Sequence, residues 1–100
     1  MDKILNNLGL CQRANGLLSG EEMVIEGIQS GKVYYVFLAS DAGHNTSKQV
    51  LDKAKYYNVE VDNTYTSEQL SHSIGKMNRQ VIGITNKGFI KKWIYKIIST

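Results

Sequence analysis

The sequence predicts an α/β protein, a three-layer α/β/α sandwich built on a mixed, mainly parallel sheet. Three observations point there. Segments of helical periodicity alternate with short β-branched runs along the chain, and strands joined through helices favour a parallel sheet covered on both faces. The run Val33-Tyr34-Tyr35-Val36-Phe37-Leu38-Ala39 is apolar or aromatic throughout, the pattern of a central strand buried on both sides. Proline is absent from the 100 residues, and no linker, repeat or low-complexity stretch divides them. One domain spanning 1–100 is expected.

Asp2 to Ala14 reads as a helix, with Ile4, Leu5, Leu8 and Cys11 on one stripe. Asn15-Gly16 ends it, and Leu17-Leu18 is short and extended. Gly20 to Ser30 forms a second helix closed by Gly31. Ser19 can cap its first turn while Glu22, three residues on, reaches back, a capping box. After the central strand, Ser40 to Asn45 is a loop. Thr46 with Gln49 is a second box, opening a helix that runs to Tyr57 and stops at Asn58. Val59-Glu60-Val61 is a short strand. Thr66 with Gln69 makes a third box and a short helix to Ile74, followed by the polar loop Gly75 to Arg79. Gln80 to Thr85 is a further strand. Asn86 opens a last helix with Phe89, Ile90, Trp93, Ile94, Ile97 and Ile98 as its apolar stripe.

Apolar residues make up 42% of the chain, enough for a real core and far from a disordered composition. No run approaches the roughly 18 unbroken apolar residues of a membrane span. The opening Met1-Asp2-Lys3-Ile4 lacks the layout of a secretory signal. The single cysteine, Cys11, excludes an internal disulfide or a multi-cysteine metal knot. A cytoplasmic protein with no membrane association is expected. Net charge is +3, which permits nucleic-acid binding without requiring it. Its distribution is uneven. Glu21, Glu22 and Glu26 form an acidic turn and a half, whereas Lys76, Arg79, Lys87, Lys91, Lys92 and Lys96 follow with no acidic residue after Glu68.

Signals for catalysis are weak. His44 and Asp41 share a loop after a strand, where turn and capping roles are commoner than catalytic ones. His72 lies beside Ser71 and Ser73, but adjacent helical residues diverge in direction and make no triad. No phosphate-binding glycine loop and no metal-ligand spacing is present. No catalytic residue, metal ligand or cofactor is expected.

Two segments carry binding chemistry. The turn into the second helix, around Gly20, Glu21, Glu22 and Met23, serves either as helix punctuation or as the edge of an RNA site, since a glycine-led helix N-terminus offers free N–H groups and partial positive charge. Gly75, Lys76, Met77, Asn78 and Arg79 are either a solvated surface turn or a contact loop. Lys and Arg neutralise phosphates, Asn reads a base edge, and Met lies against an unstacked base.

Read together, Leu8-Gly9-Leu10-Cys11-Gln12-Arg13-Ala14, Ser19-Gly20-Glu21-Glu22, Val36-Phe37-Leu38-Ala39-Ser40-Asp41-Ala42, Asn45-Thr46 and Ile82-Gly83-Ile84-Thr85-Asn86-Lys87-Gly88-Phe89 resemble the bacterial YlxQ-type branch of the ribosomal protein L-seven-Ae / L-thirty-e superfamily. The resemblance covers nearly the whole chain. It implies an L-thirty-e-like sandwich that binds structured RNA, typically a kink-turn, without catalysis or cofactor. In kink-turn binders the helix-opening glycine, matched by Gly20, is followed by a polar pair that contacts sheared G·A pairs, with a lysine three residues further on. Here the pair falls on Glu22 and Met23, and the lysine position holds Glu26. A lysine often found after the first helix is replaced by Gly16. Each misplaced carboxylate near a phosphate costs roughly 1 kcal/mol at a partly exposed position. The loop that covers the flipped-out nucleotide in the family falls on Gly75 to Arg79.

Two functions follow. The first is an RNA-binding protein of the translation apparatus, ribosomal or ribosome-associated, whose partners are structured RNA and ribosomal or translation-factor proteins. The second is a protein-interaction module on the same fold, using the acidic face of Glu21, Glu22 and Glu26. Nothing in the sequence forces an oligomer.

Overall fold

The computed structural model describes residues 3–89. Within them the order is α1 (Lys3–Arg13), β1 (Leu17–Ser19), α2 (Glu21–Gln29), β2 (Tyr35–Leu38), α3 (His44–Tyr56), β3 (Glu60–Asp62), α4 (Ser67–Ser73) and β4 (Val81–Ile84). The four strands form one sheet in the order β1-β4-β2-β3.

The two-sided burial of β2 follows from the alternation of its side chains. Phe37 and Ala39 enter one core with Leu8 and Cys11 of α1, Leu70 of α4, and Ile82 and Ile84 of β4. Val36 and Leu38 enter a second core with Val24 and Ile28 of α2, Val50 of α3, and Val81. The sheet is therefore the middle layer, with α1 and α4 on one face and α2 and α3 on the other. Each fully buried Leu, Ile, Val or Phe contributes roughly 1.5–3 kcal/mol relative to exposure. The α1 stripe is as expected, with Leu8 and Cys11 buried and Ile4 and Leu5 packed against the same core.

The mixed sheet of the expected sandwich is present, but its pairings are not mainly parallel. Among the described residues only β2–β3 is parallel; β1–β4 and β2–β4 are antiparallel. The physical reason is one insertion. β1, β2 and β3 all point the same way, as their helical crossovers require, while β4 runs against them and slots between β1 and β2. The β2–β4 contact outlasts the strand itself. Tyr34 N–H donates to the Ile84 carbonyl at 2.8 Å and Ala39 N–H to the Gln80 carbonyl at 2.8 Å, so most of the expected strand from Val33 to Ala39 is used.

Helices α1 to α4 end in the same way. Asn15, Gly31, Asn58 and Gly75 take left-handed backbone conformations. In each case that residue and the next donate N–H groups back into the last turn: Asn15 to Gln12 and Gly16 to Cys11, Gly31 to Ile28 and Lys32 to Gly27, Asn58 to Lys55 and Val59 to Ala54, Gly75 to His72 and Lys76 to Ser71. These paired bonds are Schellman motifs, which satisfy carbonyls that a helix end otherwise leaves orphaned.

The helix starts differ from one another. The Thr66 box forms: Thr66 Oγ1 accepts from Gln69 N–H and Gln69 Oε1 accepts from Thr66 N–H. The boxes at Ser19 and Thr46 do not. Ser19 is the last residue of β1, paired with Ile82, and Gly20 is the N-cap without a side-chain bond. α3 begins at His44 behind Gly43, leaving Thr46 inside its first turn. There the turn closed by Ala42 N–H on the Ala39 carbonyl delivers the chain into the helix early, and Ser47 N–H already bonds the Gly43 carbonyl. At the far end, Asn86 Oδ1 accepts from Gly88 N–H at 2.9 Å, as an opening cap would. Phe89 packs on the first core, and the apolar stripe expected from Ile90 to Ile98 lies outside the described residues.

Candidate nucleic-acid interface

The two candidate segments meet at one end of the sheet. β1 finishes at Ser19 opposite Ile82, and Gly20 N–H then donates to the Val81 carbonyl at 3.0 Å. The turn into α2 is thereby tied to the start of β4, directly after the loop that ends at Arg79. Gly20 has φ 99° and ψ 146°, a backbone region that side chains other than hydrogen rarely tolerate. A methyl group placed there would sit 3.8 Å from Arg79 Nη1. The guanidinium of Arg79 thus lies over the bare backbone at the head of α2. Its Nε is buried without a hydrogen-bond partner among the described residues.

Around this contact the other candidates divide by exposure. Glu21 is half-buried, while Glu22 and Glu26 are exposed one helical turn apart. Both Glu21 and Glu22 lie in the first turn of α2, where carboxylates interact favourably with the helix dipole. Met23 is 54% exposed and Met77 81% exposed. Gly75, Lys76 and Asn78 are also exposed. A shallow cleft of about 290 Å³ runs between α4 and this loop, lined by Glu68, His72, Lys76, Met77 and Asn78 among others.

Gly75 serves first as the stop of α4, and Asn78 adopts a left-handed conformation with φ 56°. The loop between them is held by a residue the sequence did not single out for this role. Ser71 is 6% exposed. Its hydroxyl accepts from Arg79 N–H at 2.8 Å and donates to the Arg79 carbonyl at 3.2 Å. The only sequence clue is position: Ser71 precedes the buried Ile74 by three residues and so faces inward with it.

α4 itself is pinned at its start. Both carboxylate oxygens of Asp41 are spent on Ser67, accepting from its N–H at 2.8 Å and its hydroxyl at 3.0 Å. These bonds hold the Asp41 carboxyl below its ordinary pKa. Asp41 therefore anchors a helix rather than orienting His44, which is the exposed first residue of α3. Ser71, engaged with Arg79, is likewise not poised against His72. Cys11 is fully buried, and desolvation pushes its thiol up to about 11. Among the described residues no group of three or more His, Cys, Asp or Glu could hold a metal ion, and no helix is long and apolar enough to cross a membrane.

The architecture is the L-seven-Ae-type sandwich. A structure of the Giardia lamblia 15.5kD RNA binding protein matches 96% of this chain and 85% of that chain with a TM-score of 0.77; at 15% identity the likeness is one of fold. A structure of a protein with unknown function from Bacillus halodurans matches with a TM-score of 0.87 and 43% identity, over 92% of this chain and 93% of that one. The RNA-binding protein YlxQ of Enterococcus faecium is 42% identical over 90 residues, covering 90% of this chain and 86% of the relative. No family model matches the chain. The chain belongs to the YlxQ family, whose relatives in Enterococcus faecium and Bacillus subtilis are named RNA-binding proteins.

Proposed function

We propose that this protein binds structured, kink-turn-like RNA of the translation apparatus, as a ribosomal or ribosome-associated component, through the Gly20–Met23 turn and the loop 75–79. The observation that carries the reading is the Arg79 guanidinium over Gly20, which makes one surface of two segments distant in sequence. Gly20 lets a nucleic-acid backbone or base edge approach closely. Glu22 offers an acceptor to guanine edges, and Arg79 and Lys76 offer cations to phosphates. The cleft beside Met77 has the chemistry to receive an unstacked base, with apolar cover and polar walls. Support also comes from the named activity of the Enterococcus faecium relative.

The test is binding to a kink-turn RNA beside a duplex of equal length, at two salt concentrations. Preference for the kink-turn is expected. Arg79→Glu or Lys76→Glu should weaken binding and reduce the salt slope by about one unit per lost phosphate contact. Unchanged binding in both variants would remove the loop from the site. The exposed carboxylates of Glu22 and Glu26 support a second reading, a protein-docking face. On that reading charge reversal there abolishes a protein contact and leaves RNA binding unaltered or stronger.

A further inference from the structure

We propose that Ser71 is the positioning residue that sets Arg79 over the Gly20 turn, and that RNA discrimination passes through this one buried hydroxyl. The proposal rests on the RNA-binding reading above. Ser71 closes the loop 75–79 from both ends. Its own carbonyl accepts from Lys76 N–H at 2.9 Å, at the beginning of the loop. Its hydroxyl then holds both backbone groups of Arg79, at the end of it. One helical residue therefore fixes the loop's span and the point from which the Arg79 side chain departs.

The base of this clamp is rigid. α4 is held at its N-terminus by the Thr66–Gln69 box and by Asp41. Its C-terminus is closed by Gly75 and Lys76, and Leu70 and Ile74 root it in the core. Beyond Arg79, β4 starts at Val81 and pairs on both sides. Between these fixed parts Met77 and Asn78 are exposed. Removing the hydroxyl would leave the N–H and carbonyl of Arg79 without their partner and free the guanidinium from Gly20, while the core stays intact. Ser71 also lines the cleft beside Met77, but its hydroxyl is taken up by the Arg79 backbone, so in this scheme it acts through Arg79.

The experiment is a double-mutant cycle read by RNA affinity, with thermal unfolding followed alongside. Ser71→Ala should weaken kink-turn binding about tenfold and affect the equal-length duplex far less. In an Arg79→Ala background the same change should alter affinity less than about twofold, because the group it positions is gone. A merely structural role predicts the same loss in both backgrounds, and that result overturns the proposal, as does wild-type affinity in Ser71→Ala. A measurement on the unaltered protein stands beside the variants. The Arg79 amide should exchange with deuterium more slowly than those of Met77 and Asn78, and equal exchange would overturn the clamp whatever the RNA result. If the unaltered protein shows no preference for the kink-turn over the duplex, the RNA-binding reading fails and this one with it. A wild-type preference that survives Ser71→Ala defeats the Ser71 proposal alone.

Discussion

Gly20→Ala isolates backbone strain from side-chain crowding. An added methyl would meet nothing nearer than Arg79 Nη1 at 3.8 Å, ordinary van der Waals contact. The cost must therefore come from φ 99°, ψ 146°. Holding a non-glycine residue in such a region costs about 1–3 kcal/mol, and the loss of unfolded-state freedom returns about 0.4–1. The net destabilisation is about 0–2.6 kcal/mol, centred near 1.3, and the central value is a fall in Tm of roughly 5–10 °C for a domain of this size. Gly43→Ala is the matched control. Gly43 is also a helix N-cap without a side-chain bond, but its φ is −58° and its surroundings are open. There the weaker capping of alanine and the gain in unfolded-state rigidity nearly cancel, leaving a change within about 0.5 kcal/mol. Thermal and urea unfolding of the two variants, followed by far-UV circular dichroism, gives the comparison. Equal stability of the two would refute the strain argument, because neither site is crowded and the sign of φ is the main difference between them.

Further expectations concern the core, the α4 anchor and the cysteine. Gly83→Ala would drive a methyl to 2.9 Å from one Val33 methyl and 3.1 Å from a Val24 methyl; overpacking of this kind costs ~1–3 kcal/mol, read as a lower urea midpoint. The pKa of Asp41 is lowered in the folded state by Ser67, so its contribution is present above its unfolded pKa of about 4 and lost as pH falls through the folded value. The Tm gap between wild type and Asp41→Ala should accordingly be constant near neutrality and narrow in acid; a gap that widens below pH ~4 would contradict the assignment. Cys11, buried with its thiol pushed up to about 11, should resist iodoacetamide at pH 8 when folded and react in urea, as mass spectrometry would report.

Local rules were legible in the sequence, and long-range ones were not. The stops at Asn15, Gly31, Asn58 and Gly75 depend on residues that tolerate left-handed backbone, and each was readable from residue type alone. The Thr66 box and the two-faced burial of β2 were equally local. The position of β4 between β1 and β2 was not, because a strand's neighbour is chosen by the whole sheet rather than by its own pattern. The false boxes at Ser19 and Thr46 show the same limit. A hydroxyl followed three residues later by Glu or Gln fits a cap, yet Ser19 is claimed by pairing with Ile82 and the α3 helix begins before Thr46. At the candidate site both segments could be picked out by composition. Their meeting at Gly20 and Arg79 could not, nor could the Ser71 clamp, which exists only once the loop has folded back on α4.

The electrostatics of this surface set a further expectation for the proposed RNA binding. The head of α2 presents Glu21 and Glu22 in its first turn, which steadies the helix but offers phosphates no cation. The positive charge arrives from elsewhere, from Arg79 laid across Gly20 and from exposed Lys76. Two phosphate contacts give a salt slope of only about −2 in log affinity against log salt. A protein that relied on counterion release would need many more cations than the described residues supply at this end of the sheet. Discrimination must then come from shape and base contact: the close approach at Gly20, the acceptor at Glu22 and the exposed Met23 and Met77. Kink-turn preference should consequently persist as salt rises, while the weaker duplex binding falls away. A slope several units steeper than −2, equal for both RNAs, would mean that binding is carried by a general basic surface and that the Gly20–Arg79 geometry has no part in recognition.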